Sequence, residues 1–251
     1  LFDTRNQRPK AVGIEAVSDD ETFVVEGEQI ILSAGAIGSP QILMLSGVGP
    51  RADLAIHGIE AVLDSPGVGK NLRDHPLLAV TWFTKPEVNV NALGPRGQVM
   101  LRYTAEGSAF ENDMIVYMSA AASKRRDLGG TFTNPVGIGV GLGLNLALSS
   151  GELKLNSADY REQPYLDYNL LDDKEDIRRY RDGVRIMVGL EDHPAMSALI
   201  ESRMYPLDVD LQSDEALDTW IRKHVQTGHH VSCTAKMGPA SDPMAVVNQY
   251  G

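Results

Sequence analysis

The sequence predicts a fold that mixes helices with strands and divides near Leu77. Three observations carry that reading. A consecutive apolar run, Ile30-Ile31-Leu32, leads through the small residues Ala34-Gly35-Ala36 into a helical stretch. From Leu77 onward, short strand-like segments alternate with long polar loops. Lys174 to Leu190 then repeats its apolar residues at helical spacing.

Ala11 to Val17 and Thr22 to Glu26 are apolar-rich runs on either side of Ser18-Asp19-Asp20, a turn cluster, so two strands are predicted there. Gln29 to Ser33 is predicted as a third strand, because branched residues in succession suit a strand buried on both faces of a parallel sheet. Ser39 and Pro40 are placed as N-cap and first helical residue, Gln41 to Ser46 as the helix, and Gly47 and Gly49 as its stop. Small residues between a strand and a helix let a ligand approach the backbone closely, as in nucleotide-binding α/β units. Pro50 to His57 reads as a short helix stopped by Gly58, and Gly67 to Pro76 as a loop. Further strands are predicted at Leu78 to Thr84, Asp113 to Ser119, Gly137 to Leu148 and Leu153 to Asn156. The helix over Lys174–Leu190 carries Ile177, Tyr180, Val184, Met187, Val188 and Leu190 on its apolar side. Asp172-Asp173 suit its start, and Pro194 lies beyond its end. Ser213 is placed as the cap of a last helix, with Asp214 and Glu215 in the first turn and Ala216, Leu217, Trp220 and Ile221 on the apolar side.

The chain has 251 residues, 43% of them hydrophobic, which is enough for a substantial core in one or two domains. A net charge of −11 argues against nucleic acid and against anionic membrane surfaces as partners. The longest weakly polar run, Val136 to Leu148, is too short and too rich in glycine for a membrane span. The single cysteine, Cys233, excludes an internal disulfide framework and a multi-cysteine metal site, and it fits a reducing cytoplasm. His193 and His224 have no ligand-like partners at metal spacing, and adjacent residues such as His229 and His230 usually point apart. No metal is expected. Leu1-Phe2-Asp3 and Tyr250-Gly251 both read as interior sequence, so the chain is expected to be the middle portion of a longer protein.

Three clusters carry chemistry. The first runs from Gly35 to Gly49, GAIGSPQILMLSGVG. Over these fifteen positions it resembles a signature of the glucose–methanol–choline oxidoreductase family. The second, Gly67-Val68-Gly69-Lys70-Asn71-Leu72-Arg73-Asp74-His75-Pro76, is similar to the family's loop between flavin domain and substrate domain. There Asn71 can bond a loop backbone and Asp74 can orient His75, with locking of the loop as the favoured role. The third, His229-His230-Val231-Ser232-Cys233-Thr234-Ala235-Lys236-Met237-Gly238, resembles the family's active-site histidine segment. In that register His230 matches the catalytic histidine and Thr234 the threonine four residues later. His229 either lines the pocket or packs.

The resemblance implies a two-domain α+β architecture. Residues 1–76 would belong to an FAD-binding domain. Residues 77–226 would form a substrate domain, an antiparallel sheet with flanking helices. Residues 227–251 would return to the FAD-binding domain. It implies FAD as cofactor, with Ala34, Gly35, Ala36, Asn71 and Thr234 at the cofactor. The substrate would be a primary or secondary alcohol, with O₂ or a quinone as electron acceptor. A neutral imidazole, with an unperturbed pKa near ~6.5, can take the hydroxyl proton while the flavin takes the hydride. No G-x-G-x-x-G turn for a pyrophosphate follows a strand here; Gly137 to Gly143 reads better as a glycine-bearing strand. The chain alone is therefore expected to be inactive. Two other readings stay open: an FAD-containing lyase of the same fold, and a truncated, non-catalytic binding or scaffold protein. A photodecarboxylase is disfavoured, because the only cysteine lies in the histidine segment.

Overall fold

The computed structural model describes residues 1–5, 8–89, 95, 97–122 and 137–251. The fold is α+β, and the chain forms two compact units. The first takes Leu1–Arg73, Gly151–Tyr168 and Val231–Gly251, and the second takes Asp74–Ser150 and Asn169–His230. Gly151–Tyr168 falls inside the span read as the second domain, yet it lies in the first unit. Its strand Gly151–Lys154 pairs antiparallel with Lys70–Leu72 on one side and with Tyr165–Asp167 on the other.

In the first unit, Gly13–Ser18 and Glu21–Glu26 form the hairpin that the sequence predicts. Asp19 and Asp20 make its two-residue turn with φ of 48° and 66°, the left-handed pair that suits the twist of paired strands. Gln29–Ser33 departs from its reading. It is not a strand, and Ile31 is 78% exposed. A doubly buried strand forms only where neighbours take its backbone bonds, and no described strand pairs with this run.

The next helix also departs from its reading, starting at Gly35 and running to Leu45. Ser39 is therefore not the N-cap. Its Oγ works from inside the helix and accepts the Ala34 N–H at 3.0 Å. Pro40 becomes an interior residue. Met44 from this helix packs with Leu54, Val68, Leu72 and Leu153 in the unit's core. Leu54 belongs to the short helix Arg51–Ile56, which ends before Gly58 at φ 70°.

The second unit is built on a six-stranded antiparallel sheet. Its order is Ile200–Tyr205, Pro76–Thr84, Gly137–Leu144, Met114–Ala122 and Met100–Tyr103, with Gln226–Thr227 also paired to Pro76–Thr84. Strand residues alternate between faces. Leu78, Val80, Trp82, Met114, Leu142 and Leu144 point into the core. They meet Ile177, Tyr180, Val184 and Met187 of the helix Lys174–Val188, and Leu217, Trp220 and Ile221 of the helix Asp214–His224. Both helices start where the sequence places them. Asp173 accepts the Glu175 N–H at 2.8 Å, and Ser213 accepts the Ala216 N–H at 3.1 Å. The glycine-bearing run 137–143 is a strand as read, and the ring of Tyr117 lies where a side chain on Gly141 would stand. Among the described residues no helix is long and apolar enough to cross a membrane.

Charge is buried in this core. Arg179 contacts Asp113 and Asp176, each at 2.6 Å, and all three side chains are fully buried. Asp176 also accepts the N–H groups of Leu148 and Ser149, at 3.0 and 2.7 Å. Asp113 accepts the Ala105 N–H at 2.9 Å and the Ser108 hydroxyl at 2.6 Å. Burial pushes the Asp113 carboxyl up, but bonds from Ser108, Ala105 and Arg179 together outweigh it and hold the group below the usual carboxylate range. Replacing Arg179 by methionine leaves two buried carboxylates without their cation, at a cost of about 3–5 kcal/mol. Chemical denaturation of Arg179→Met is the measurement, and a loss below about 1 kcal/mol would contradict the cluster's role. The pH dependence has a fixed sign. A carboxyl lowered in the folded state stabilises above its unfolded pKa, near ~3.9, and that stabilisation is lost as pH falls through the folded value. Arg179→Met should therefore shift acid unfolding to higher pH.

Candidate active site

The residues singled out in the sequence fall into two constellations, one in each unit. In the second unit the centre is Asp74, whose carboxylate is buried at 5% exposure. Its Oδ1 accepts the N–H of His75 at 2.7 Å and the N–H of His230 at 2.9 Å. Its Oδ2 accepts the hydroxyl of Thr227. The Thr227 oxygen in turn accepts the His229 N–H at 3.0 Å. His229 adopts φ 60°, a left-handed conformation that β-carbon sterics disfavour. The next residue, His230, turns its ring toward His75, with centroids 5.2 Å apart and planes at 89°. Both His229 and His230 are exposed, whereas His75 is half-buried. Gly228 makes the approach possible, because a β-carbon there would lie 2.6 Å from the His75 carbonyl oxygen.

His75 is the residue that sequence reasoning undervalues. The Asp-His pair ahead of Pro76 is its only signal, and that pair reads equally as a loop lock. The Asp74 charge and the backbone of Asn145 and Leu144 favour the charged form of its ring. Burial is the main reason that its pKa falls below the usual imidazole value, and the proximity of His230 adds to the shift. His75 is thus held neutral at neutral pH.

The second constellation lies in the first unit, around the start of the helix Gly35–Leu45. Ala34 precedes that helix with no side chain capping it, and Gly35 has φ 77° with open space where a side chain would project. Inside the helix, Pro40 lacks an N–H, so the Ala36 carbonyl loses its partner four residues on. Thr234 fills the gap: its buried hydroxyl donates to the Ala36 oxygen at 2.6 Å. The Thr234 carbonyl accepts the Gly69 N–H at 2.8 Å. Asn71 has φ 58°, and its Oδ1 accepts the Arg73 Nε–H at 3.0 Å. Arg73 and Ser232 exchange two backbone bonds, at 3.1 and 2.9 Å. Ala34, Gly35, Ala36, Asn71 and Thr234 therefore share one unit, and Thr234 is directly bonded to Ala36. Lys236 is paired with Asp242 at 2.6 Å, and Cys233 is exposed with φ 72°. Among the described residues no three His, Cys, Asp or Glu side chains gather as a metal site.

Comparison with known proteins gives a consistent result. Two family models, both described as GMC oxidoreductase, match residues 1–77 and 147–251. The oxygen-dependent choline dehydrogenase of Photobacterium profundum is 32% identical over 262 residues, covering 96% of this chain and 46% of that protein. The enzyme of the same name from Staphylococcus epidermidis is also 32% identical, over 269 residues, covering 99% of this chain and 46% of its own length. The chain spans about half the length of the curated relatives it matches. Among solved structures, pyridoxine 4-oxidase from Mesorbium loti superposes with a TM-score of 0.82 at 24% identity, over 96% of this chain and 47% of that one. A fungal aryl-alcohol oxidase superposes with a TM-score of 0.74 at 26% identity, over 96% and 50%.

The Pro40–Ala36–Thr234 arrangement makes a cross-check possible. Thr234→Val keeps the side-chain shape but orphans a carbonyl, which should cost about 1–3 kcal/mol in unfolding free energy. Pro40→Ala restores an N–H that can reach Ala36, so the same Thr234→Val change should cost clearly less in that background. Equal costs in both backgrounds would show that the two residues are not coupled through that oxygen.

Proposed function

Because the chain belongs to the GMC oxidoreductase family, we propose that it contributes the active-site histidine of an FAD-dependent oxidoreductase acting on the CH–OH group of a small alcohol. One observation carries the reading. His230, which occupies the family's histidine register, has an exposed ring on a backbone held by a buried carboxylate. An exposed imidazole on a fixed backbone can receive a proton from a bound hydroxyl without reorganising the chain.

The roles then divide by unit. In the second unit, an imidazole nitrogen of His230 takes the hydroxyl proton of the alcohol. His75, neutral and half-buried beside it, limits where that ring can point. His229 is exposed beside them and lines the approach for substrate. In the first unit, the uncapped start of the helix Gly35–Leu45 fits an anionic group of FAD. Backbone N–H groups and the helix dipole favour negative charge there, and the open space at Gly35 lets the group come close. Gly35 and Ala36 would hold it through their backbone N–H groups, Ala34, whose N–H is engaged by Ser39, would shape the turn before them, and Asn71 would order the neighbouring loop. Thr234 has its hydroxyl engaged by Ala36, so it acts by fixing this helix start. When bound, FAD supplies the acceptor for the hydride.

The relatives support a primary alcohol as substrate, since those nearest in name act on choline and a structural neighbour on aryl alcohols. The oxygen dependence for which these relatives are named favours O₂ over a quinone as acceptor. The units correspond in this reading to a cofactor-side part, residues 1–73, 151–168 and 231–251, and a substrate-side part, residues 74–150 and 169–230. The single exposed cysteine suits a cytoplasmic enzyme.

The test is anaerobic flavin reduction in the full-length protein, with choline and with benzyl alcohol as probes. His230→Ala should slow reduction at least about tenfold while flavin content is retained. An unchanged rate would remove His230 from the chemistry.

A further inference from the structure

The active-site reading leaves a question about how His230 is held. The residue belongs to no helix or strand, and its predecessor has a left-handed backbone. Such a segment keeps one geometry only where other groups over-determine it. Every hydrogen bond described for the Asp74 carboxylate goes to the two histidine segments. Oδ1 binds the N–H of His75 and of His230, and Oδ2 binds the hydroxyl of Thr227, which carries the His229 N–H. Residues 74 and 230 are 156 positions apart in sequence. The buried core of the second unit includes none of these residues.

We propose that Asp74 is the positioning residue of the site: by binding both backbones through one oxygen, it sets the angle at which the His75 and His230 rings meet. The proposal rests on the reading of His230 as proton acceptor, and it adds a residue that touches neither substrate nor cofactor. Two details support it. An ionised acceptor makes bonds roughly twice as strong as a neutral one, so a carboxylate suits a clamp that must order two chain segments. Gly228, beside the clamp, has room only for hydrogen where it faces the His75 carbonyl. The two segments therefore meet backbone to backbone, with Gln226–Thr227 paired to the start of Pro76–Thr84, and the carboxylate carries that contact on to His75 and His230. Asp74→Asn keeps an acceptor oxygen for both N–H groups but loses its charge. Asp74→Ala removes the clamp altogether.

The experiment uses the full-length flavoprotein and two readouts. Amide hydrogen exchange at His75 and His230 should speed up at least about tenfold in Asp74→Ala, and by less in Asp74→Asn, while exchange in the helix Lys174–Val188 stays as in the wild type. The rate constant of alcohol-dependent flavin reduction should fall in the same order, Ala below Asn below wild type, at least about tenfold for Ala. KM should change less than about threefold, because the clamp does not touch substrate. Unchanged exchange at the two histidines overturns the clamp, and faster exchange with unchanged reduction overturns its role in positioning. If Asp74→Ala does not fold, Thr227→Val takes its place. It removes the Oδ2 bond together with the acceptor of the His229 N–H, so the deciding amide is that of His230, whose exchange should rise, and no rise there overturns the proposal. A wild type that reduces no flavin with any alcohol would defeat the functional reading, and the exchange data would still decide whether the clamp exists.

Discussion

One buried guanidinium anchors the helix that packs against the strand following Asp74 and His75. Arg179 sits between Asp113 and Asp176 with no exposure of any of the three side chains, and these carboxylates tie down residues 105–113 and 146–149. Burying three charges is costly, and the arrangement survives because every carboxylate oxygen finds a donor. The gain is geometric. Arg179 fixes the helix Lys174–Val188, and the next residue, Tyr180, is fully buried with its hydroxyl 2.7 Å from the Leu142 carbonyl and 3.1 Å from the Pro76 carbonyl. One proton serves those two carbonyls in turn, so the phenol pins the start of the strand Pro76–Thr84 against its neighbour. Asp74 and His75 immediately precede that start. Charge cluster, helix, phenol, strand end and carboxylate clamp thus form one continuous series within the second unit.

How much of this the sequence reveals depends on the range of each interaction. Helices at Lys174–Val188 and Asp214–His224 are legible with their caps, because Asp173 and Ser213 act on residues two and three positions away. The hairpin around Asp19-Asp20 is legible for the same reason. Gln29–Ser33 misleads because its apolar run says nothing about the presence of a pairing neighbour. The start of the helix Gly35–Leu45 is misplaced because a Ser-Pro step is a cap signal in most contexts, yet here Thr234 supplies the bond that Pro40 denies to Ala36. That donor is 198 residues away. Likewise the histidine segment can be recognised by resemblance, but its clamp cannot. Nothing local marks Asp74 as the acceptor for an N–H at position 230.

Part of the backbone strain sits where these long-range bonds act. Asn71, His229 and Cys233 all have positive φ without being glycine. Each such residue costs on the order of 1 kcal/mol and persists only under external restraint. The restraints are visible: Asn71 lies between the Gly69–Thr234 bond and the Arg73–Ser232 pair, and His229 is tied to Thr227.

The different burial of His75 and His230 bears on the proposed proton transfer. Two imidazoles with centroids 5.2 Å apart resist carrying two positive charges, which adds to burial in lowering the pKa of His75. Half-burial disfavours the charged form of His75, whereas the ring of His230 is exposed to solvent. In the proposed oxidation the alcohol's proton therefore goes to His230, and the uncharged His75 serves as a fixed wall against which that ring is aligned. The same asymmetry has a structural consequence. A histidine whose pKa is lowered by folding binds protons more tightly in the unfolded chain, so acidification through the imidazole range weakens the fold at His75.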